Sequence, residues 1–290
     1  GAAMGWMMIA KLAQWNHRWD DALEALGELE KIYGDLQQYP LEDIMFRNKN
    51  TPESIFEVQR TYTAGGLAVT TNVAAICTPS HNGKGIYDGV EIPEMGTGMT
   101  TWTSMRPNSY FCDGLQTKKG NDKRKTLNMA WEYDGKPFSN VGTRPWLGPK
   151  FWCPGMQNTA DFNNQKIFRY ADAVLMMSEC YAEQENIDES IRYLNMVKER
   201  AGLAPYTFKN IESLMEEIQK ERGRELLGEF QRKFDLVRWG IWYQMTYDYT
   251  NYSTLKENML PCHEYYPIPD KEVVYSGGAL DNKAYNEYGM

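Results

Sequence analysis

The sequence predicts a mainly α-helical protein: TPR-like helical hairpins of an α/α superhelix, with a long loop-rich insertion that contains short β-strands. Apolar residues recur at helical spacing in two similar helix pairs, and glycine, proline and tryptophan are concentrated between these pairs. We predict a single domain over 1–290, divided into a hairpin at 1–60, the insertion at 61–168, a hairpin at 169–205, and a C-terminal helix with an irregular tail at 206–290.

The first hairpin is predicted from residues 2–15 and 19–33. Residues 2–15 carry apolar side chains at helical spacing over a wide face, which we expect to be buried. A break at 16–18 separates them from a second segment with the same periodicity. Two helices joined by about three residues form an antiparallel hairpin.

The second hairpin repeats this pattern at 169–201. Asn186 marks the break between its helices, and Gly202 is the predicted stop. Such helix pairs stack because neither pair can bury its apolar face alone. A shift of 168 residues aligns the two pairs at Met7 and Leu175, Leu12 and Cys180, and Leu26 and Leu194.

The C-terminal part is predicted to hold a helix at 211–229, with Leu214, Ile218 and Leu226 on its apolar side. The pattern then continues as helix to about residue 246. The last 30 residues are expected to be irregular.

The insertion, 61–168, differs in composition from the hairpins. It holds 13 of the 24 glycines, 7 of the 13 prolines and 4 of the 9 tryptophans. Glycine and proline disfavour long helices, while tryptophans disfavour disorder, and an ordered loop-rich segment of this length is usually functional. Alternating side chains suggest strands at 53–60 and 126–133.

Charge and cysteine content exclude several classes of function. The net charge of −8 disfavours nucleic-acid binding, which depends on Lys and Arg neutralising phosphates. The one basic run, 118–125, is interrupted by Gly120 and Asp122, and we expect a solvated turn there. The five cysteines show no metal-type spacing and cannot all pair; Cys180 is expected to be a buried thiol.

Catalytic motifs are scarce. The three histidines, at 17, 81 and 263, lack metal-ligand spacing, and Gly96-Thr97-Gly98 lacks the third glycine of a dinucleotide fingerprint. We therefore expect no metal and no cofactor.

Three carboxylates at helical spacing, Glu221, Glu225 and Glu229, leave two interpretations open. They could form a metal site or a glycosidase pair. Like charges at this spacing repel by roughly 0.2–0.5 kcal/mol each, so they need compensation. Bidentate contacts from interleaved arginines could supply it, and we favour a structural ion-pair network. The candidate arginines are Arg222, Arg224, Arg232 and Arg238.

Aromatic residues within the insertion are the candidate ligand-binding residues. An aromatic ring on a loop can pack against the apolar face of a pyranose, while nearby polar groups bind its hydroxyls. A single Trp is more often part of a core, so we expect one to three of the set to contact ligand. The candidates are Tyr62, Trp102, Tyr110, Trp146 and Trp152.

A family resemblance rests mainly on 169–240, in the segments RYADAVLMMSECYAE, IRYLNMVKERAG and ERGRELLGEFQRKFDLVRWG. These segments resemble the signature region of SusD/RagB-like proteins of Bacteroidetes-type bacteria. AKLAQWNHRWDDALEAL is similar to the family's third TPR unit, RPNSYFCDG followed by NDKRK to its connector, and YYPIPDKEV with ALDN to its terminal proline motif. Gly223, Phe230 and Lys233 depart from the family pattern.

The resemblance implies a function that periodicity does not. Members are surface-exposed outer-membrane lipoproteins that bind polysaccharide, oligosaccharide or, in some branches, peptide, and they deliver it to a SusC-like TonB-dependent transporter without catalysis. The chain begins within a predicted helix, so we expect it to be the C-terminal part of a longer member whose lipoprotein signal precedes it. The alternative is a TPR-type scaffold that binds a protein or peptide and no glycan.

Overall fold

The computed structural model describes residues 1–63, 65–78, 86–87, 90–91, 102, 104–133, 136–137, 144–156 and 159–289. His81 and Gly96–Gly98 lie outside these residues. The chain divides into two compact units, Gly1–Arg232 and Lys233–Met290. The domain division made from sequence stays a prediction.

The first hairpin consists of helix α1 (Ala2–Trp15) and helix α2 (Trp19–Tyr33), at the predicted bounds. The turn between them has His17 in the left-handed region, with φ 55°. The buried face of α1 is narrower than predicted. It buries Met7, Ala10 and Ala13, whereas Leu12 is 59% exposed, because α1 packs mainly against α2 and the strand β1 (Ser54–Val58).

The described residues of the insertion before residue 120 form short strands, one short α-helix and a π-helical turn. Strand β1 lies just before the insertion, and β10 (Gln165–Arg169) lies at the insertion's C-terminal end. The two strands pair antiparallel, so the two ends of the insertion lie side by side. The other elements in this part are β2 (Thr61–Tyr62), β3 (Ala68–Val69), α3 (Val73–Cys77), β4 (Ile86–Tyr87), β5 (Val90–Glu91) and a π-helical turn at Tyr110–Leu115.

The strand predicted at 126–133 is only partly correct. Its first half forms the short helix α4 (Lys125–Asn128), and only the second half is extended. The strands of this part are β6 (Met129–Ala130), β7 (Glu132–Tyr133), β8 (Lys136–Pro137) and β9 (Trp146–Leu147); β6 pairs with β9, and β5, β4, β7 and β8 form a four-stranded sheet in that order.

The second hairpin consists of α5 (Tyr170–Glu183) and α6 (Ile187–Arg200), as predicted. Helix α5 is the central helix of the unit, since it packs against α2, α6 and α7 (Ile211–Glu225) and is buried on nearly all sides. Cys180 is a buried free thiol, as predicted. Stacking of α2 on α5 joins the two hairpins into the TPR-like superhelix.

Helix α7 ends four residues earlier than predicted. Gly228 has φ +71°, and a Cβ there would lie 2.4 Å from Cε1 of Phe151. A left-handed glycine ends a helix readily because it carries no Cβ penalty. The chain therefore turns after Glu225, and Leu214, Ile218 and Leu226 are buried as expected.

The unit Lys233–Met290 is made of short helices. The helix predicted to run to residue 246 is interrupted at Gly240, which has φ +68°. The tail predicted as irregular contains short helices, which sequence periodicity did not resolve because they span too few residues. The helices are α8 (Arg232–Arg238), α9 (Trp242–Tyr249), α10 (Ser253–Asn258), a 3-10 turn at Pro261–Glu264, α11 (Asp270–Tyr275) and α12 (Lys283–Asn286).

Candidate functional site

A small hydrophobic cluster organises the described part of the insertion. We call it the insertion core; it joins α3, β6 and the segment 152–156. Because these short elements bury little surface of their own, packing on the cluster is what orders the loops around it. Its buried members are Ala74, Ala75, Ala130, Trp152, Cys153 and Met156, and Trp146 and Phe162 pack against it.

Tyr62 lies at the edge of this core with its ring 36% exposed. Its ring stacks on Phe162, with centroids 6.3 Å apart and an interplanar angle of 20°. Phe162 in turn packs on the insertion core, and Lys49 Nζ lies 5.3 Å from its ring centroid. Tyr62 is therefore a partly exposed ring on a packed support.

Trp102 is the most exposed ring of the predicted set, at 46%. Its backbone N–H donates to the carbonyl of Ala75 at 2.7 Å, and the N–H of Ser104 donates to Ile76 at 2.9 Å. These bonds attach the chain around Trp102 to α3, and so to the insertion core. Trp102 is therefore an exposed residue whose backbone is attached to α3.

Trp146 is half-buried at the start of β9. It packs on the insertion core, and the guanidinium carbon of Arg106 lies 5.3 Å from its ring centroid. A cation at this distance from a ring face is favourable. Part of the ring surface is therefore occupied by the protein itself.

Trp152 is a core residue. Its side chain is 2% exposed and its indole N–H donates to the carbonyl of Leu147 at 3.1 Å. A ring without an exposed face cannot serve as a platform for a sugar in this conformation. Trp152 instead supports Trp146, and we do not carry it into the proposed ligand set.

Tyr110 lies apart from the other four. It is half-buried at the first position of the π-helical turn, whose Phe111 and Cys112 pack with Met129 in a separate cluster. The structure thus brings Tyr62, Trp102, Trp146 and Trp152 to one core and leaves Tyr110 outside it.

Phe162 and Arg106 were missed by the sequence analysis. Phe162 is also an aromatic residue of the glycine-rich segment, so the same compositional signal could have found it. Arg106 carries no local signal, because its contact with Trp146 depends on how the insertion folds.

The carboxylates of α7 belong to a buried ion-pair network, as favoured from sequence. Glu225 is fully buried and pairs with Arg124 at 2.8 Å, Arg169 at 3.0 Å and Arg200 at 2.6 Å. Burial by itself would raise the pKa of Glu225. The guanidinium groups of Arg200, Arg169 and Arg124 outweigh that effect and hold its pKa well below the ordinary value.

The other two carboxylates are engaged in the same way. Glu221 pairs with Arg124 at 2.7 Å and Arg224 at 2.7 Å. Glu229 accepts from Nε and Nη2 of Arg169, both at 2.8 Å, and pairs with Lys150 at 2.7 Å. Arg224 is thus a compensating residue as predicted, but Arg124, Lys150, Arg169 and Arg200 come from other elements and were not foreseen. Arg222 pairs with Asp172 at 2.9 Å.

The basic run at 118–125 is not a uniformly solvated turn. Arg124 is fully buried, with a bidentate contact to Asp122 at 2.8 and 2.9 Å in addition to its contacts with α7. Only the lysines around it fit the prediction: Lys119 and Lys123 are exposed.

Within the described ranges, no group of three or more His, Cys, Asp or Glu side chains could hold a metal ion. None of the described helices has both the length and the apolar character needed to cross a membrane.

Stacked helical hairpins, separated by an insertion whose described residues form short strands and turns, define a TPR-like superhelix. The SusD family model matches residues 146–285. A SusD-like protein of Formosa agariphila is 34% identical over 175 residues, which cover 57% of this chain and 32% of that protein. The SusD family match thus covers the C-terminal half of the chain, where the motifs at 169–240 lie.

Solved structures support the same fold. A SusD superfamily protein of Bacteroides vulgatus matches with a TM-score of 0.62 and 24% identity, over 93% of this chain and 60% of its own. Surface glycan-binding protein A of Bacteroides thetaiotaomicron, in complex with laminarihexaose, matches with a TM-score of 0.66 and 19% identity, over 96% of this chain and 63% of its own. The chain thus spans about a third of the curated relative and roughly three fifths of these structures.

Proposed function

We propose that this chain is part of a cell-surface protein that captures oligosaccharide or polysaccharide through aromatic residues of its insertion. The observation that carries the proposal is the pair of exposed rings, Tyr62 and Trp102, both attached to the insertion core. Rings held on a packed support lose little conformational entropy when a ligand stacks on them. Trp146 is a secondary contact, and Tyr110 stays a candidate.

Two further observations support glycan binding. Among the family relatives of the same fold, surface glycan-binding protein A has been solved with laminarihexaose. In this chain, Lys49 and Arg106 lie over the rings next to the proposed surface, and their N–H groups are donors of the kind that sugar hydroxyls accept.

The proposal is for binding and not for catalysis. A hydrolase of the two-carboxylate type needs one carboxyl that is protonated or free to attack. Glu221, Glu225 and Glu229 are all buried in contacts with guanidinium or ammonium groups. Glycan cleavage by the wild-type protein, abolished by Glu221→Gln without loss of folding, would contradict this.

The finer part of the proposal concerns delivery. We propose that the complete protein is a surface-exposed outer-membrane lipoprotein that passes its glycan to a SusC-like TonB-dependent transporter. The support is the match of residues 146–285 to the SusD family model and the similarity to a SusD-like protein of Formosa agariphila. The complete gene tests this, because it should encode an N-terminal lipobox cysteine and lie beside a gene for such a transporter. A complete gene without either would contradict the localisation and the partner.

Affinity electrophoresis tests the glycan proposal itself. The chain is run in native gels that contain laminarin, starch, mannan or xylan, with a gel free of polysaccharide as reference. Retardation by at least one polysaccharide is expected. Unretarded migration in every gel would overturn the proposal and favour the alternative, a TPR-type scaffold for a protein or peptide.

A further inference from the structure

A second concave surface lies where the insertion meets the two hairpins, and we call it the junction cleft. Its volume is about 440 Å³, within the roughly 300–1,000 Å³ range of small-ligand sites. Three segments form its walls: the 3-10 turns at Leu36–Gln38 and Leu41–Ile44, the chain at 123–127, and the C-terminal end of α6.

The walls of the junction cleft are joined by hydrogen bonds. Gln37 Nε2 donates to the carbonyl of Met196 at 2.7 Å, which fixes the first 3-10 turn to α6. The N–H of Lys123 donates to the carbonyl of Ala201 at 2.9 Å, which fixes the insertion to the end of α6. These two hydrogen bonds fix the walls of the cleft to one another.

Four polar side chains at the cleft are uncommitted. Among the residues that the structure describes, those of Glu42, Lys123, Thr126 and Glu199 form no side-chain hydrogen bond and no ion pair. Together they offer two carboxylates that accept hydrogen bonds, one ammonium group that donates them, and a hydroxyl that can donate and accept. Pro40 and Leu41 add apolar surface to the same cleft.

The charges at the cleft disfavour an anion, a cation and a purely apolar ligand. An anion would meet Glu42 and Glu199, and Arg200, the guanidinium on the inner wall, is already paired with Glu53 at 3.0 Å and Glu225 at 2.6 Å. A cation would meet Lys123 and Arg200. An apolar ligand would leave the carboxylates desolvated without partners. A neutral ligand with many hydroxyl groups can satisfy both donors and acceptors.

We propose that the junction cleft is a second saccharide site, which binds one or two pyranose units of a neutral oligosaccharide. Hydroxyls of the sugar donate to Glu42 and Glu199 and accept from Lys123, while its C–H face packs on Pro40 and Leu41. The inference rests on the proposed glycan-binding function, but it concerns a surface that the insertion aromatics do not form.

Site-resolved NMR of the whole chain separates the two sites. Methyl groups of Leu41, Thr126 and Leu127 report on the cleft, and the indole N–H of Trp102 reports on the insertion. The probes are laminarihexaose, maltohexaose and mannohexaose. We expect at least one of them to shift the cleft methyl signals in a saturable titration.

Variants of exposed residues then test whether the methyl shifts arise from binding at the cleft. Lys123→Met and Glu199→Gln should each weaken the cleft titration by about tenfold or more, since each removes a charge-assisted hydrogen bond. Lys119→Met and Glu24→Gln alter exposed residues away from the cleft and should leave it unchanged.

The outcomes distinguish this inference from the proposed function. Shifts of the Trp102 signal alone, with silent cleft methyls, would overturn the second site and leave the insertion site standing. Cleft shifts that persist in both cleft variants would also overturn it. Silence of both reporters with all three oligosaccharides would count against both proposals.

Discussion

Arg124 Nη1 and Glu225 Oε2 lie 2.8 Å apart, and both side chains are fully buried. Arg124 belongs to the insertion and Glu225 to α7, so this contact joins the candidate binding region to the helical frame. Glu225 also meets Arg169 and Arg200. Among the residues that the structure describes, Glu225 is the carboxylate that pairs with all three of these guanidinium groups.

Replacing Glu225 by Gln should therefore destabilise the protein strongly. The substitution leaves three guanidinium groups without their shared carboxylate, and breaking a buried pair costs about 3–5 kcal/mol. Urea unfolding followed by tryptophan fluorescence measures this loss. Glu216→Gln is the matched control, since its exposed pair with Lys220 should contribute about 0.5 kcal/mol or less. A similar, small effect of both substitutions would refute this role for Glu225.

Stability should fall steeply in acid. Burial acts to raise the pKa values of Glu53, Asp172 and Glu225, but neighbouring Arg and Lys groups outweigh it and hold all three below the ordinary values of 4.5, 3.8 and 4.5. A carboxyl with a lowered folded pKa adds stability that is fully present above its unfolded pKa and is lost as pH falls through the folded pKa. The contribution of these three carboxylates to the urea midpoint should therefore be constant above about pH 5 and be lost progressively below pH 4.5. A flat profile down to pH 3 would argue against a charged network.

Asp161 should have the opposite effect on stability: its contribution should decrease as pH rises. Burial raises its pKa from 3.8 to about 6, although the N–H of Ala74 donates to it at 2.9 Å. Between these values the folded chain keeps a proton that the unfolded chain releases, so this group's contribution falls as pH rises through the window. We expect the stability of wild type relative to Asp161→Asn to decrease from pH 4 to pH 6. A constant difference over that range would exclude a raised pKa.

Gly228→Ala should be much more harmful than Gly65→Ala. Both glycines have φ +71°, but a Cβ at Gly228 meets Phe151 while one at Gly65 meets nothing within 4 Å. The left-handed conformation alone costs about 1–2 kcal/mol with Ala, and forced overpacking adds about 1–3 kcal/mol. Thermal unfolding should show a larger loss of stability for Gly228→Ala than for Gly65→Ala. Equal losses would show that Phe151 moves to accommodate the added methyl group.

Local periodicity was sufficient to predict the helical frame. The bounds of α1 and α2 follow from their 3.6-residue pattern and from the break at His17, and the second hairpin repeats it. The end of α7 was predicted too late, because the close approach of Gly228 to Phe151 is a tertiary contact. The local sequence pattern around Gly228 does not predict this contact.

The candidate site was predictable only in composition. Glycine and tryptophan content pointed to the insertion. Composition does not predict, however, which of the aromatic side chains are buried and which are exposed. Trp102 and Trp152 look alike in sequence, and one is 46% exposed while the other is 2% exposed. The partners of α7 were missed for a related reason, since Arg124 and Glu225 are 101 residues apart and meet only in the folded chain.

The most direct test of the account is the dissociation constant for a retarding polysaccharide, measured by affinity electrophoresis over a concentration series. Tyr62→Ala and Trp102→Ala should each weaken binding by about tenfold, corresponding to about 1.4 kcal/mol. Tyr275→Ala removes a ring that is 79% exposed in the unit Lys233–Met290 and should leave the constant unchanged. Wild-type affinity in both insertion variants, or equal losses in all three, would contradict glycan capture by the insertion.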